Sequence, residues 1–222
     1  MINIGVIGYG YWGPKIVRNI MKIDDFIITK IVDLNEKNLL KAKKLYPRLI
    51  LSNDSNDIIN DKNINAVIIA TPVSTHFKLA KDALNAGKHT LVEKPLASNS
   101  DECKILIDLA NRNKLILQVD HIFPYTGAIS KIKSLFEDKS LGNPLYYDSV
   151  RINLGLFQND VNVIWDLAVH DLSILDYLFD VEPISLIANG VAHVKKQKEN
   201  IAYLTLNYQN NFMVNIHVNW LS

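Results

Sequence analysis

Three glycines near the start of the chain have the spacing of a nucleotide-binding loop. Gly8, Gly10 and Gly13 form G-x-G-x-x-G directly after the apolar run Ile2–Ile7. Where this spacing joins a strand to a helix, the first glycine permits a tight turn, the second lets the backbone approach a diphosphate, and the third lets the helix pack closely on the sheet. The amides and dipole of the helix then stabilise the negative charge of the phosphates. An ordinary glycine-rich turn is the alternative. The predicted cofactor residues of this loop are Gly8, Gly10, Tyr11, Trp12 and Gly13.

An acidic residue at the end of the next apolar run supports the nucleotide interpretation. Asp33 follows the run Phe26–Val32, about twenty residues beyond the last of these glycines. A carboxylate at this place accepts hydrogen bonds from the adenosine ribose hydroxyls. Leu34 and Asn35 come next, so no arginine or lysine directly follows the carboxylate. Since a carboxylate repels a 2′-phosphate, we expect NAD rather than NADP as the cofactor.

Two further segments each follow a predicted strand, and ligands of open parallel sheets bind beyond the carboxyl ends of the strands. The first segment contains Thr71 and Pro72, with His76 just beyond them. We count these three residues among the candidate cofactor contacts. A plain strand-to-helix turn explains Pro72 equally well, and a lone histidine is usually a surface residue.

The second of these segments is Glu93-Lys94-Pro95. A lysine beside a nicotinamide ring can donate a hydrogen bond to a substrate hydroxyl and stabilise negative charge that develops on its oxygen. Partial burial would lower the pKa of such a lysine. The alternative is a surface ion pair at a turn. Glu93 and Lys94 are both counted as candidate cofactor residues, and Lys94 also as a catalytic residue.

A carboxylate and an imidazole stand four residues apart in a predicted helix. Asp166 and His170 therefore lie on one helical face. A carboxylate beside an imidazole orients it and raises its basicity, which suits a general base. A solvated helical face is one alternative, and a metal site that includes Asp171 is another. The metal site would need further ligands, and the sequence offers no HxxEH-like partner.

Composition excludes several classes of protein. The chain has 222 residues, of which 48% are hydrophobic, and a formal charge of +1. Such a chain can bury a large hydrophobic core, and it lacks the excess of positive charge that is typical of nucleic-acid-binding proteins. A single cysteine, Cys103, cannot form an intrachain disulfide. With no signal-peptide pattern and no apolar run of membrane-spanning length, we expect a cytoplasmic protein.

Apolar runs and amphipathic segments alternate over residues 1–122, which predicts a parallel sheet covered on both faces. The predicted strands are 2–7, 26–32, 66–70, 89–92 and 115–119, and the predicted helices are 12–21, 36–45, 74–86 and 101–111. Over residues 123–222 the strands follow one another more directly, which predicts an antiparallel sheet in a second domain. Its predicted strands are 145–152, 184–194, 201–208 and 212–220, and its predicted helices are 128–136 and 163–178. Strict alternation from Phe212 to Trp220 predicts one buried face for the last strand.

Taken together, these segments resemble the Gfo/Idh/MocA family of NAD(P)-dependent oxidoreductases, and most of all its members from surface-polysaccharide and nucleotide-sugar pathways. The matching segments are Gly8-Tyr9-Gly10-Tyr11-Trp12-Gly13-Pro14, Asp33, Ala70-Thr71-Pro72, Glu93-Lys94-Pro95 and the pair Asp166 and His170. The resemblance implies an α/β protein, in which a Rossmann-type doubly wound sheet precedes an α/β domain with an open, mostly antiparallel sheet. It implies that this second sheet forms the interface of a homo-oligomer and one wall of the substrate pocket, that Lys94 and His170 flank the substrate, and that the Lys94–Pro95 bond is cis. Chains of this family continue well past the equivalent of Ser222, so we expect a longer parent protein.

We therefore expect hydride transfer between nicotinamide and a secondary alcohol of a sugar or nucleotide sugar. In the oxidation, His170 takes the hydroxyl proton, Asp166 orients His170, and Lys94 holds the same oxygen. Two other classes stay open, namely a redox-assisted glycoside hydrolase or lyase that uses bound NAD, and a noncatalytic NAD-binding protein. We expect no metal ion, nucleic acid or membrane as a partner.

Overall fold

The computed structural model describes residues 1–154, 157–158, 160–194 and 198–222. The chain divides into two compact units, residues 1–120 and 121–222. No helix in the described part of the chain is long and apolar enough to cross a membrane.

A six-stranded parallel sheet forms the centre of the first unit. Its strands are β1 (Ile2–Ile7), β2 (Phe26–Val32), β3 (Ile50–Ser52), β4 (Ala66–Ile69), β5 (His89–Val92) and β6 (Leu117–Val119). They lie in the order β3-β2-β1-β4-β5-β6, and every neighbouring pair is parallel. This is the strand order of a doubly wound dinucleotide-binding fold. It confirms the predicted fold class.

Helices cover both faces of this sheet, which is why its strands are almost continuously apolar. The helices of the first unit are α1 (Gly13–Ile20), α2 (Glu36–Leu45), α3 (Asn56–Ile59), α4 (Val73–Asn85) and α5 (Ser100–Asn113). One buried cluster gathers Ile58, Val67 and Leu84, and a second gathers Val6, Val17 and Ile31. The two clusters bury the two faces and hold the carboxyl ends of the strands in fixed register.

Sequence periodicity did not predict β3 or α3. The strand has three residues at the edge of the sheet, and the helix is a single turn of four residues. Segments this short carry no readable period of 2 or 3.6 residues. They matter for function because the loop that joins them reaches the candidate site described below.

A four-stranded mixed sheet forms the centre of the second unit. Its elements are a 3₁₀ turn (Phe123–Tyr125), α6 (Gly127–Glu137), β7 (Tyr146–Ile152), a π-helical segment (Ile164–Ala168), α7 (Val169–Phe179), β8 (Ser185–Val191), β9 (Ile201–Asn207), a 3₁₀ turn (Gln209–Asn211) and β10 (Met213–Asn219). The strands lie in the order β7-β10-β9-β8. Only the β7–β10 pair among them is parallel. The mostly antiparallel character that was expected is confirmed.

The last strand buries one face as its alternation predicts. Phe212, Val214, Ile216, Val218 and Trp220 are all buried, and they belong to one core cluster with residues of β9 and α7. A short 3₁₀ turn, Gln209–Asn211, joins β9 to this strand. A single predicted helix over 163–178 is instead a π-helical segment followed by an α-helix, a difference with consequences for Asp166.

Candidate active site

The three glycines of the loop between β1 and α1 differ in what surrounds them. Gly8 has a φ of +98°, and a Cβ atom there would collide with the carbonyl oxygen of Ala70. A Cβ at Gly13 would collide with the carbonyl oxygen of Gly8. A Cβ at Gly10 would meet no atom within 4 Å in the described structure. Gly8 and Gly13 are thus required by the packing of the chain itself, whereas Gly10 borders open space.

Asp33 holds this loop in place. Its carboxylate Oδ2 accepts a hydrogen bond from the backbone N–H of Tyr9 at 2.6 Å and one from the Asn38 amide at 3.1 Å. Its Oδ1 accepts from the backbone N–H of Asn35 at 2.7 Å. Each carboxylate oxygen has about two acceptor positions. Oδ1 can therefore also accept a hydrogen bond from a ribose hydroxyl.

A cleft of about 700 Å³ opens at the carboxyl ends of β1, β2 and β4, within the usual range of ligand pockets, roughly 300–1,000 Å³. Gly8, Gly10, Asp33, Thr71 and Pro72 line it, as the sequence predicts for a shared site. Sequence reasoning missed other polar lining residues, which come from the β2–α2 loop, the start of α2, the β3–α3 loop and the first turns of α4. These residues are Asn35, Asn38, Asn53, Asp54, Ser55, Ser74, Thr75 and Lys78.

Tyr11 and Trp12 stand apart from the lining of this cleft. Both rings are exposed, and they meet edge to face with centroids 5.3 Å apart. The ammonium group of Lys15 lies 3.8 Å from the Tyr11 centroid and 3.9 Å from the Trp12 centroid. The rings and the cation form an exposed cation–π group beside the glycine loop, which sequence reasoning did not predict.

His76 links the two loops that follow β4 and β5. It is only 1% exposed. Its Nδ1 lies 2.8 Å from the carbonyl oxygen of Pro95, and its Nε2 lies 2.8 Å from the carbonyl oxygen of Thr71. The Lys94–Pro95 peptide bond is cis. With both ring nitrogens on backbone carbonyls, His76 supports the loops that carry the cofactor candidates.

Glu93 forms an acid pair with Asp120 beyond the carboxyl ends of β5 and β6. Glu93 is buried, and its side chain is hydrogen-bonded to that of Asp120. Burial raises the pKa of Glu93 to about 7, with help from the Asp120 carboxylate and the hydrogen bond between them, while Lys94 opposes the shift. Asp120 was not among the sequence candidates. Its signal was present, because it follows β6 directly, as Asp33 follows β2.

In the second unit, Asp166 is buried rather than part of a solvated stripe. It is 8% exposed, and its Oδ2 accepts a hydrogen bond from the indole N–H of Trp220 at 3.0 Å. It lies in the π-helical segment. Single turns of π-helix are frequent at functional sites. His170 lies one residue into α7, and its ring meets that of Phe123 edge to face, with centroids 4.9 Å apart. Among the described residues, no group of three His, Cys, Asp or Glu side chains is placed to hold a metal ion.

The sheet order, the glycine loop and the acidic residue at the end of β2 define the first unit as a dinucleotide-binding Rossmann domain. Comparison with protein families gives the same result. Residues 2–121 match the family model described as an oxidoreductase family with an NAD-binding Rossmann fold, and residues 127–222 match the GFO/IDH/MocA C-terminal domain. The chain belongs to the Gfo/Idh/MocA family of oxidoreductases, and its first unit is an NAD-binding domain.

Individual relatives agree with this assignment. The chain is 36% identical over 211 residues to UDP-N-acetylglucosamine 3-dehydrogenase of Acidithiobacillus ferrooxidans, covering 93% of this chain and 64% of that protein. It is 29% identical over 210 residues to inositol 2-dehydrogenase of Azotobacter vinelandii, covering 87% and 61%. The chain thus spans just under two thirds of the length of these relatives. The scyllo-inositol dehydrogenase of Lactobacillus casei, solved with NAD(H) and scyllo-inositol, shares the fold, with a TM-score of 0.89 at 20% identity over 100% of this chain and 70% of that one.

The three glycine environments predict separable effects of alanine substitution. Gly10→Ala places a methyl group in the open space, so we expect NAD binding at least about tenfold weaker with the thermal midpoint unchanged. Gly8→Ala forces a collision and a left-handed φ, so we expect it to lower the free energy of unfolding by about 2 kcal/mol or more. Gly127→Ala, which also meets open space, is the matched control. Titration calorimetry with NAD and thermal denaturation measure both effects, and normal NAD binding by Gly10→Ala would contradict this placement of the diphosphate.

The Glu93–Asp120 pair predicts a pH-dependent stability. The native state holds the Glu93 proton up to about pH 7, whereas the ordinary pKa of a free glutamate is 4.5. The stabilisation by this proton is therefore complete below about pH 4.5 and is lost as the pH rises through about 7. We expect Glu93→Gln, which stays neutral, to remove this loss. Urea denaturation at about pH 5 and about pH 8 measures it, with the exposed Glu137→Gln as control. Equal pH dependence in all three proteins would refute the buried acid pair.

Proposed function

We propose that this protein catalyses reversible hydride transfer between NAD and a secondary alcohol of a sugar or nucleotide sugar. The observation that carries the proposal is the cleft beside the glycine loop, because Gly8, Gly10 and Asp33, which the sequence predicts to bind a dinucleotide, line its wall. When bound, the nicotinamide supplies the hydride acceptor. The protein then has to bind the cofactor, orient the alcohol and remove its proton.

The cyclic, polyhydroxylated substrates named for two relatives support this substrate class. One relative is a dehydrogenase of UDP-N-acetylglucosamine and the other a dehydrogenase of inositol. Both names describe oxidation of a ring alcohol. The higher identity of the first relative, 36%, favours a nucleotide sugar.

We assign the acid–base chemistry to Lys94 and His170. In the direction of oxidation, His170 accepts the hydroxyl proton and Lys94 donates a hydrogen bond to the same oxygen, which stabilises the charge that develops there. Asp166 orients His170 and stabilises its protonated form. Burial of Asp166 against Trp220 supports this assignment, because a carboxylate fixed by the indole N–H keeps one orientation.

The remaining candidates bind or support the cofactor in this proposal. Thr71 and Pro72 line the cleft, and we assign them to contacts with the dinucleotide. His76 supports the cofactor site indirectly, since its two ring nitrogens face the backbone carbonyls of Thr71 and Pro95. Glu93, next to Lys94 and partly protonated near neutral pH, helps to fix the chain at the end of β5.

We further propose that the protein assembles as a homo-oligomer through the second sheet. Several apolar side chains on one face of that sheet are exposed, including Tyr146, Val150, Ile187 and Tyr203. Register places them on the face opposite the buried Val214 and Leu204. Contiguous apolar patches on a protein surface commonly mark interaction sites.

The assignment of Lys94 and His170 predicts the loss of turnover on their removal. We expect Lys94→Ala and His170→Ala each to lower kcat by roughly 10²–10⁴-fold, with UDP-N-acetylglucosamine or myo-inositol and NAD as substrates and NADH absorbance as the readout. Lys104→Ala, an exposed lysine on α5, is the control. Near-normal turnover after the double substitution of Lys94 and His170 would remove the proposed mechanism.

The position of Asp33 predicts the preference for NAD. Asp33→Asn keeps the size of the side chain but removes the charge that repels a 2′-phosphate. We expect the ratio of the NADP and NAD dissociation constants to fall by about tenfold, equivalent to about 1.4 kcal/mol. Titration calorimetry with each cofactor measures the ratio, and the exposed Asp24→Asn serves as the control. An unchanged ratio would show that Asp33 does not set the cofactor preference.

A further inference from the structure

Asp171, the residue after His170, is the centre of a buried polar network. It is 1% exposed. Its Oδ2 accepts from Arg151 Nε at 2.9 Å, and its Oδ1 accepts from Arg151 Nη2 at 3.2 Å and from the Ser149 hydroxyl at 2.6 Å. The Tyr147 hydroxyl lies 3.3 Å from Oδ1. Three alternate residues of β7 thus converge on one carboxylate at the start of α7.

This network fixes the guanidinium group of Arg151 in one plane. Two parallel N–H···O bonds to a carboxylate give an arginine a defined orientation that a lysine cannot reproduce. Burial and the Asp171 carboxylate raise the pKa of Tyr147 to about 12, so its hydroxyl keeps its proton and can donate to Asp171. The side chain of Arg151 is only 24% exposed. It is therefore held between the sheet and the helix.

The ordered guanidinium in turn lies over an aromatic ring. The Cζ atom of Arg151 is 4.5 Å from the centroid of Phe123, which is a cation–π contact. The Phe123 ring is the one that meets the His170 imidazole, with centroids 4.9 Å apart and planes at 69°. The His170 ring thus contacts Phe123, Phe123 contacts Arg151, and Arg151 is bonded to Asp171, the residue next to His170 in the chain.

We propose that Arg151 and Phe123 are positioning residues for His170. Arg151, held by Asp171, fixes the Phe123 ring, and this ring fixes the direction in which the imidazole of His170 points. The inference rests on the proposed function, in which His170 is the general base. A proton acceptor has to lie within hydrogen-bond reach of its donor, and a displacement of about 1 Å can cost about 10²-fold in rate.

Kinetics of four variants test this role. We expect Phe123→Leu and Arg151→Lys to lower kcat with NAD and UDP-N-acetylglucosamine by about tenfold, with the KM for NAD changed less than about twofold. Phe123→Tyr keeps the ring and should retain kcat. Phe136→Leu is the matched control, since Phe136 is another half-buried phenylalanine of the second unit that meets a ring edge to face, that of Phe179 at 5.1 Å.

A spectroscopic readout separates positioning from general stability. The imidazole ¹H–¹⁵N signals of His170, assigned by their absence in His170→Ala, should shift in Arg151→Lys, because Arg151 holds the Phe123 ring that contacts the imidazole. Phe136→Leu should leave them in place. In the His170→Ala background, Phe123→Leu should cause no further loss of turnover, because its effect passes through the imidazole.

The outcomes distinguish this inference from the proposed function. If His170→Ala keeps its turnover, both are wrong. If His170→Ala is inactive but Arg151→Lys and Phe123→Leu behave like Phe136→Leu, only the positioning role is wrong. If Phe123→Leu fails to fold, or if UDP-N-acetylglucosamine is not oxidised, the His170 signals of Arg151→Lys decide, and unchanged signals overturn the inference.

Discussion

The hydrogen bond from the Tyr9 N–H to the Asp33 carboxylate joins the carboxyl ends of the first two strands of the nucleotide-binding domain, beside the cleft. It joins the glycine loop after β1 to the end of β2 over 2.6 Å. The loop needs this tether because Gly8 has a positive φ and approaches the backbone of Ala70 too closely for any side chain. A carboxylate bound by backbone amides is a strong and directional acceptor. The same carboxylate is the group proposed to bind the ribose, so in the proposed site one residue both supports the loop and recognises the cofactor.

In the second unit, buried carboxylates with hydrogen-bond partners in neighbouring elements flank the candidate base in the sequence. Its candidate base lies on a helix, and a lone helix does not fix the direction of a long side chain. Two buried acids, one in the π-helical segment and one at the start of α7, are instead bonded to neighbouring elements, Asp166 to Trp220 and Asp171 to Arg151. A buried carboxylate without such partners would be costly. The hydrophobic core around Val218 and Leu175 therefore encloses polar groups that are already paired.

Local pattern was enough to predict most of the strands and helices. Ile2–Ile7 and Phe26–Val32 were predicted to the residue, because strands covered on both faces are continuous apolar runs. The short elements β3 and α3 were missed, since neither is long enough to show a period. The π-helical segment was missed because an extra residue per turn leaves no mark on residue types. Contacts between distant residues, such as Glu93 with Asp120, could not be read from spacing, since they depend on which strand ends meet.

The imidazole of His76 lies between two segments with different tasks, since each of its ring nitrogens is 2.8 Å from a backbone carbonyl oxygen. One carbonyl belongs to Thr71, on the rim of the cofactor cleft, and the other to Pro95, next to Lys94. Hydrogen-bonded contacts weaken steeply once their geometry is lost. A displacement of either segment would therefore disturb the contacts of the imidazole. The backbone at Thr71 and the backbone at Lys94 are consequently coupled through His76. A ligand that binds against Thr71 therefore also stabilises the position of the segment that carries Lys94.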